Sequence, residues 1–137
     1  MTDGKSTKEA VSLKIYESAE DYLERILMLN KSMGQVRAVD IANLMNFSKP
    51  SVSIALKKLR QNGYVNIDGG GYITLTESGL EIAERVFERH RLISQLLMAL
   101  GVDEQTAKED ACRVEHDLSV ESFEAIKEYC RKNLQIQ

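Results

Sequence analysis

The sequence predicts a mainly α chain: an N-terminal winged helix-turn-helix with a two-stranded wing, followed by an all-helical domain. Three observations predict it. Two short helical patterns flank a turn at Asn46-Phe47. Two alternating stretches, Tyr64–Ile67 and Tyr72–Leu75, then bracket Asp68-Gly69-Gly70-Gly71 as a hairpin would. A long apolar repeat at helical spacing follows from Leu80 to Leu100. Helix, turn, helix and hairpin in that order are the winged-helix succession.

Each element has its own signal. Residues 1–14 read as a loose tail. A helix is expected from Ser18 to about Lys31, with Ser18 and Asp21 spaced as in a capping box and Tyr22, Leu23, Ile26, Leu27 and Leu29 on one broad face. Asp21 and Glu24 lie at the edge of that face, and Gly34 ends the helix. A short helix follows over Val36–Met45, with Val39, Ala42, Leu44 and Met45 as its apolar repeat. Ser48-Lys49-Pro50-Ser51 opens the next helix, and Pro50, the only proline, stands in a first turn, where a missing N–H costs nothing. Val52, Ala55, Leu56 and Leu59 form its buried face, leaving Ser51, Ser53, Lys57 and Lys58 to solvent; Gly63 closes it. After the long helix, stopped by Gly101, come a helix through Cys112–His116 and a last one from about Glu121 to Asn133, for which Ser119 and Ser122 are both candidate N-caps.

Composition narrows the class. In 137 residues, 43% hydrophobic and 28% charged side chains imply a packed protein rather than disorder. No apolar run approaches the roughly 20 residues of a membrane span, and the polar start Met1–Ala10 lacks the core of a signal peptide. Cys112 and Cys130 make no disulfide framework, so a reducing, cytoplasmic location is expected, with Cys112 a free thiol. The net charge of −3 conceals an asymmetry: residues 101–128 hold nine acids and three bases, whereas 48–62 carry Lys49, Lys57, Lys58 and Arg60 and no acid. A local basic surface, not the total charge, governs DNA binding.

Double-stranded DNA is therefore the expected partner. Ser48, Lys49, Pro50, Ser51 and Ser53 stand where a recognition helix enters the major groove. Hydroxyls and N–H groups at a helix start suit phosphates, and Pro50 suits thymine methyl groups. Lys57, Lys58 and Arg37 would hold the backbone by charge. No Arg, Asn or Gln in the first turns offers a bidentate base contact, so DNA shape is expected to contribute. The plainer reading is that Ser48 and Pro50 only cap the helix and the lysines form a solvated face.

A second constellation is Cys112, Glu115 and His116. At i, i+3 and i+4 of a helix they share one face and bring together a thiolate, a carboxylate and an imidazole. That mixture suits a borderline first-row divalent ion rather than Ca(II) or Mg(II). A half-buried Cys beside a surface Glu-His pair is the alternative.

SAEDYLERI, VDIANLMNFSKPSVSIALKKL, YITLTESG, ERHRLISQLLMALGV and CRVEHDLS together resemble the DtxR/MntR family of metal-dependent bacterial repressors over about residues 18–134. The resemblance implies a winged-helix DNA-binding domain, placed at residues 1–76, and a helical metal-binding and dimerisation domain, placed at 77–137. It implies metal ligands at Asp21, Glu24, His90, Cys112, Glu115 and His116, and metal binding that favours the conformation gripping a palindromic operator. The chain is a hybrid within the family. Cys112 is similar to the iron-type members where manganese-type members have a bridging Glu, whereas Asp21 follows the manganese type. Ser94 stands where the iron branch has a further acidic ligand. The short length, without an SH3-like third domain, resembles the manganese-type subgroup.

Hard oxygens at Asp21, Glu24 and Glu115 suit Mn(II) or Fe(II); the sulfur of Cys112 shifts preference toward Fe(II), Co(II) or Zn(II), and Zn(II) or Co(II) would also bind in vitro. A thiolate does not bridge as a carboxylate does, which argues against a two-metal cluster. The expectation is a cytoplasmic homodimeric repressor of manganese or iron uptake genes, with no enzymatic activity, no membrane and no small-molecule substrate. A homodimer is expected from the apolar long helix and the need to read two half-sites. Two other classes remain open at this point: a winged-helix regulator under organic-ligand control or none, and a small metalloenzyme. The latter lacks any visible general base or oxyanion device.

Overall fold

The computed structural model describes the backbone of residues 3–136 and the side chains of residues 17–136. The chain divides into two compact units, residues 1–84 and 85–137.

In the first unit, α1 (Asp3–Met33), α2 (Ala38–Met45) and α3 (Lys49–Gln61) precede β1 (Val65–Ile67) and β2 (Ile73–Leu75), and α4 (Glu77–Ala99) begins. The strands pair antiparallel in the register Val65↔Leu75, Asn66↔Thr74, Ile67↔Ile73. The expected tail over residues 1–14 is corrected for 3–14, which are helical; residues 1 and 2 lie outside the described residues. The reason is composition: between Lys5 and Met33 no Gly or Pro interrupts a helix-forming run. It follows that Ser18 lies inside α1 and does not cap it. Gly34, at φ +82, ends α1.

The core of this unit is Leu23, Ile26, Ile41, Val52, Leu56, Val65 and Ile73, all nearly or completely buried. α1 packs on α2 and β2, and α3 packs on α2 and β1. The apolar face of α2 is shifted from expectation. Ile41 and Ala42 are buried, whereas Val39 and Leu44 are exposed, because a helix of eight residues has too few turns for its repeat to set one face. Asp40 accepts a hydrogen bond from the Arg37 backbone N–H at 2.9 Å, and Asn46 ends α2 in the left-handed region at φ 56. At the end of α3, Gly63 takes φ +78 while its N–H and that of Tyr64 donate to Arg60 O and Leu59 O, the pattern of a Schellman motif.

The wing is held at three places. Asp68 Oδ1 accepts from the N–H groups of Gly70 and Tyr72, both at 2.9 Å, which fixes the turn. Ile73 N–H donates to Val36 O at 2.7 Å, tying β2 to the segment before α2. Gly79, in the first turn of α4, lies against Tyr64; a Cβ there would overlap the Tyr64 carbonyl oxygen. This contact ties the first turns of α4 to the compact unit of residues 1–84.

The second unit comprises the rest of α4, α5 (Glu104–Val114), α6 (Val120–Tyr129) and a π-helical turn, Cys130–Leu134. Asp103 caps α5 through Thr106 N–H, and of the two candidate serines it is Ser119 that caps α6, through Ser122 N–H at 3.0 Å. Leu92, Phe123 and Cys130 form its core, with Leu96, Ile126, Leu134 and Ile136 packed around them. Cys130 is thus a packing residue. Among the described residues no helix is long and apolar enough to cross a membrane.

Candidate metal centre and nucleic-acid interface

The second unit gathers three donors from two elements. α4 carries His90, the last turn of α5 carries Cys112, and Glu115 follows where the helix ends. The helix expected through His116 stops at Val114, but Glu115 keeps helical dihedrals (φ −57, ψ −27), so the i, i+3 relation to Cys112 survives. Ligand atoms of His90, Cys112 and Glu115 all lie within 4.8 Å of one another. His90 Nδ1 is 2.9 Å from Glu115 Oε2 and 3.7 Å from Cys112 Sγ. His116 Nε2 stands 3.4 Å from Glu115 Oε1, its side chain only 2% exposed.

His90 is the group whose titration this cluster shifts most. The Cys112 side chain first, then Glu115, push its pKa from the ordinary 6.5 up to about 10, against the opposing effect of burial. His90 therefore holds its proton between the Cys112 and Glu115 side chains at neutral pH. Glu115 is buried, and its Oε1 makes no hydrogen bond. A buried carboxylate oxygen without a donor is costly unless a cation compensates it. Donors bound to one first-row ion at about 2.0–2.3 Å lie roughly 3–4 Å apart, close to the separations found here. Sulfur, oxygen and nitrogen in this arrangement fit a borderline divalent ion.

The other predicted donors are on α1, where Asp21 is half-buried and Glu24 is completely buried beside Leu23 and Ile26. Ser94 adds no acidic ligand, and its hydroxyl donates to His90 O at 2.7 Å. Sequence reasoning missed Arg89. Its guanidinium is buried and donates from Nη1 to Glu115 O at 3.0 Å and Leu118 O at 2.7 Å. An arginine inside an otherwise apolar helical repeat, next to a histidine, was the available signal.

In the first unit, α3 presents the predicted reading surface. Ser48 is its N-cap, accepting from Ser51 N–H at 3.3 Å, and Pro50 sits in the first turn. Ser48 Oγ also donates to Ser51 Oγ at 2.8 Å, so capping occupies these two hydroxyls in the free protein. Lys49, Pro50, Ser51, Ser53, Lys57 and Lys58 are exposed, while Val52, Leu56 and Leu59 are buried. Arg37 is exposed at the start of α2, its guanidinium 4.4 Å from the centre of the Tyr72 ring. One residue of this surface escaped prediction: Ile54, 60% exposed in the middle of α3. Its signal was an isoleucine out of step with the Val52, Leu56, Leu59 stripe.

Helix, turn, basic helix and paired wing define a winged-helix DNA-binding protein, and the second unit carries a donor cluster of a kind that could hold a metal ion. Residues 14–71 match the family described as iron dependent repressor, N-terminal DNA binding domain, and residues 76–133 match iron dependent repressor, metal binding and dimerisation domain. The chain belongs to this iron-dependent, DtxR/MntR-type repressor family, a family of metal-responsive DNA-binding regulators and not of enzymes. It is 41% identical to an uncharacterized HTH-type transcriptional regulator of Methanocaldococcus jannaschii, over 85% of this chain and 94% of that one. It is 32% identical to the transcriptional regulator MntR of Escherichia coli, over 85% of this chain and 76% of that one. Among solved structures, the manganese regulator SloR superposes with a TM-score of 0.74 at 31% identity, over 82% of this chain; the chain spans only 53% of SloR.

Proposed function

We propose that this protein is a homodimeric repressor of manganese or iron uptake genes whose grip on a palindromic operator is switched on by Mn(II) or Fe(II). One observation carries the proposal: His90, Cys112 and Glu115 hold ligand atoms within 4.8 Å of one another in a chain that also carries a winged helix. His90, Cys112, Glu115 and His116 would hold the ion, and resemblance to the family adds Asp21 and Glu24. A bound ion would take the place of the His90 proton as the positive charge beside the buried Glu115 carboxylate and would give its Oε1 a partner. His90 would give up its Nδ1 proton to serve as a ligand through that nitrogen. Carboxylates favour Mn(II) or Fe(II); the Cys112 sulfur tilts the set toward Fe(II), and allows Zn(II) or Co(II) in vitro.

On the DNA side, Lys49, Lys57, Lys58 and Arg37 neutralise phosphates, and Ser48, Ser51 and Ser53 supply hydroxyl contacts. Pro50 and the exposed Ile54 offer apolar contacts to thymine methyl groups. Exposed apolar side chains of the second unit, Leu100 (71%), Val120 (66%) and Tyr129 (57%), support association with a second copy. Metal control requires that the ion bind the DNA-competent conformation more tightly than the other.

The test is a Cys112→Ala/His116→Ala variant. It should lose metal-dependent DNA binding while keeping its fold by circular dichroism. Full DNA affinity in this variant, with or without metal, would contradict the proposal.

A further inference from the structure

We infer that Arg89 is a positioning residue for the metal donors, holding the backbone of the turn that carries Glu115 and His116. The inference rests on the metal-site reading above and deepens it. Arg89 is only 8% exposed. A buried guanidinium is a costly way to fill a core, where Leu or Met of similar volume would serve. Its placement explains the charge. α5 ends at Val114, and the carbonyls of Glu115 and Leu118 lie in the turn between α5 and α6, where they have no partner within a helix. One nitrogen, Nη1, satisfies both. The guanidinium carbon also lies 5.1 Å from the centre of the Phe123 ring in α6.

Three consecutive residues of α4 thus reach the same region. Glu88 pairs with Lys127 of α6 at 2.5 Å, Arg89 holds the turn, and His90 meets the donor side chains. Glu115 is tied to α4 twice, by its carboxylate to His90 and by its carbonyl to Arg89. An ion held by the His90 and Glu115 side chains would take over the atoms of their mutual hydrogen bond, whereas the Arg89 contacts are to backbone carbonyls and would remain alongside it. Arg89 acts on the backbone rather than on a ligand side chain, so its removal loosens donor geometry without removing a donor.

The experiment compares wild type with Arg89→Met and Arg89→Lys. The readouts are Mn(II) and Co(II) affinity by chelator competition, the Co(II) absorption spectrum per bound ion, and metal-free melting. Arg89→Met should bind both ions about 10–100-fold more weakly, as loss of outer-shell support commonly does. It should also change the Co(II) ligand-field and thiolate bands. Arg89→Lys, which keeps the charge and a donor, should recover part of the affinity. If Arg89→Met does not fold, the lysine variant decides: its affinity and spectrum should lie measurably away from wild type. Folded variants with affinity within twofold of wild type and an unchanged Co(II) spectrum would overturn the role, whatever their melting temperature. Wild-type protein that binds neither ion would overturn the metal-site reading itself, and this role with it.

Discussion

Raising the pH from 6.5 to 8.5 should strengthen metal binding about 100-fold, a factor of about ten per pH unit. The reason lies in His90, whose Nδ1 faces Glu115 at 2.9 Å and Cys112 at 3.7 Å and whose pKa is pushed up to about 10. Across that pH range the metal-free protein keeps the His90 proton, and an ion bound through that nitrogen must displace it. One proton is therefore released per ion at His90. A histidine at its ordinary 6.5 would be mostly neutral by pH 7.5 and would release little. Calorimetric titration at pH 7.5 in two buffers of different ionisation enthalpy counts the protons directly. Release of about one or more per ion supports the reasoning; release near zero refutes it. A companion effect concerns the metal-free fold. The folded pKa of His90 lies above its ordinary value, so the stability it contributes is complete below pH 6.5 and declines as pH rises through about 10. His90→Gln should flatten that part of the melting profile.

Three further outcomes follow from other parts of the molecule. Lys57→Ala/Lys58→Ala should weaken DNA binding and make the plot of log affinity against log salt shallower by about 0.9 for each phosphate no longer neutralised; an unchanged slope in a salt titration would remove these lysines from the interface. Gly79→Ala should destabilise the first unit by about 1–3 kcal/mol in urea unfolding, because the added methyl overlaps the Tyr64 carbonyl. Chelation should lower the melting point of metal-loaded protein: an ion at 100 times its Kd adds about 2.7 kcal/mol, and the Cys112→Ala/His116→Ala variant should show no such gain.

What the residues reveal in advance follows the length of the pattern. The α3 helix is legible because Ser48, Pro50 and Gly63 mark both ends chemically and Val52, Leu56 and Leu59 repeat within a helix of 13 residues. The wing is legible from two alternating strands around three glycines. The short α2 misleads at Val39 and Leu44, where tertiary packing through Ile41 outweighs a repeat of two turns. Helix through residues 3–14 escapes notice because a polar run without an apolar face resembles a tail. At the site, Cys112 and Glu115 are visible from spacing and His90 from family resemblance. Arg89 and Ile54 carry only a faint signal, each out of step with the apolar stripe of its helix, and the burial of the one and exposure of the other are fixed by the three-dimensional register.

A metal ion is proposed to control DNA binding through the Cys112–Glu115–His90 cluster. The most direct test is fluorescence anisotropy on a duplex selected with the metal-loaded protein, titrated anaerobically in chelator, Mn(II), Fe(II) and Zn(II). Tight binding with Mn(II) or Fe(II), abolished in chelator and restored by re-addition, is the predicted result. Equal affinity in chelator and in every metal would contradict the account.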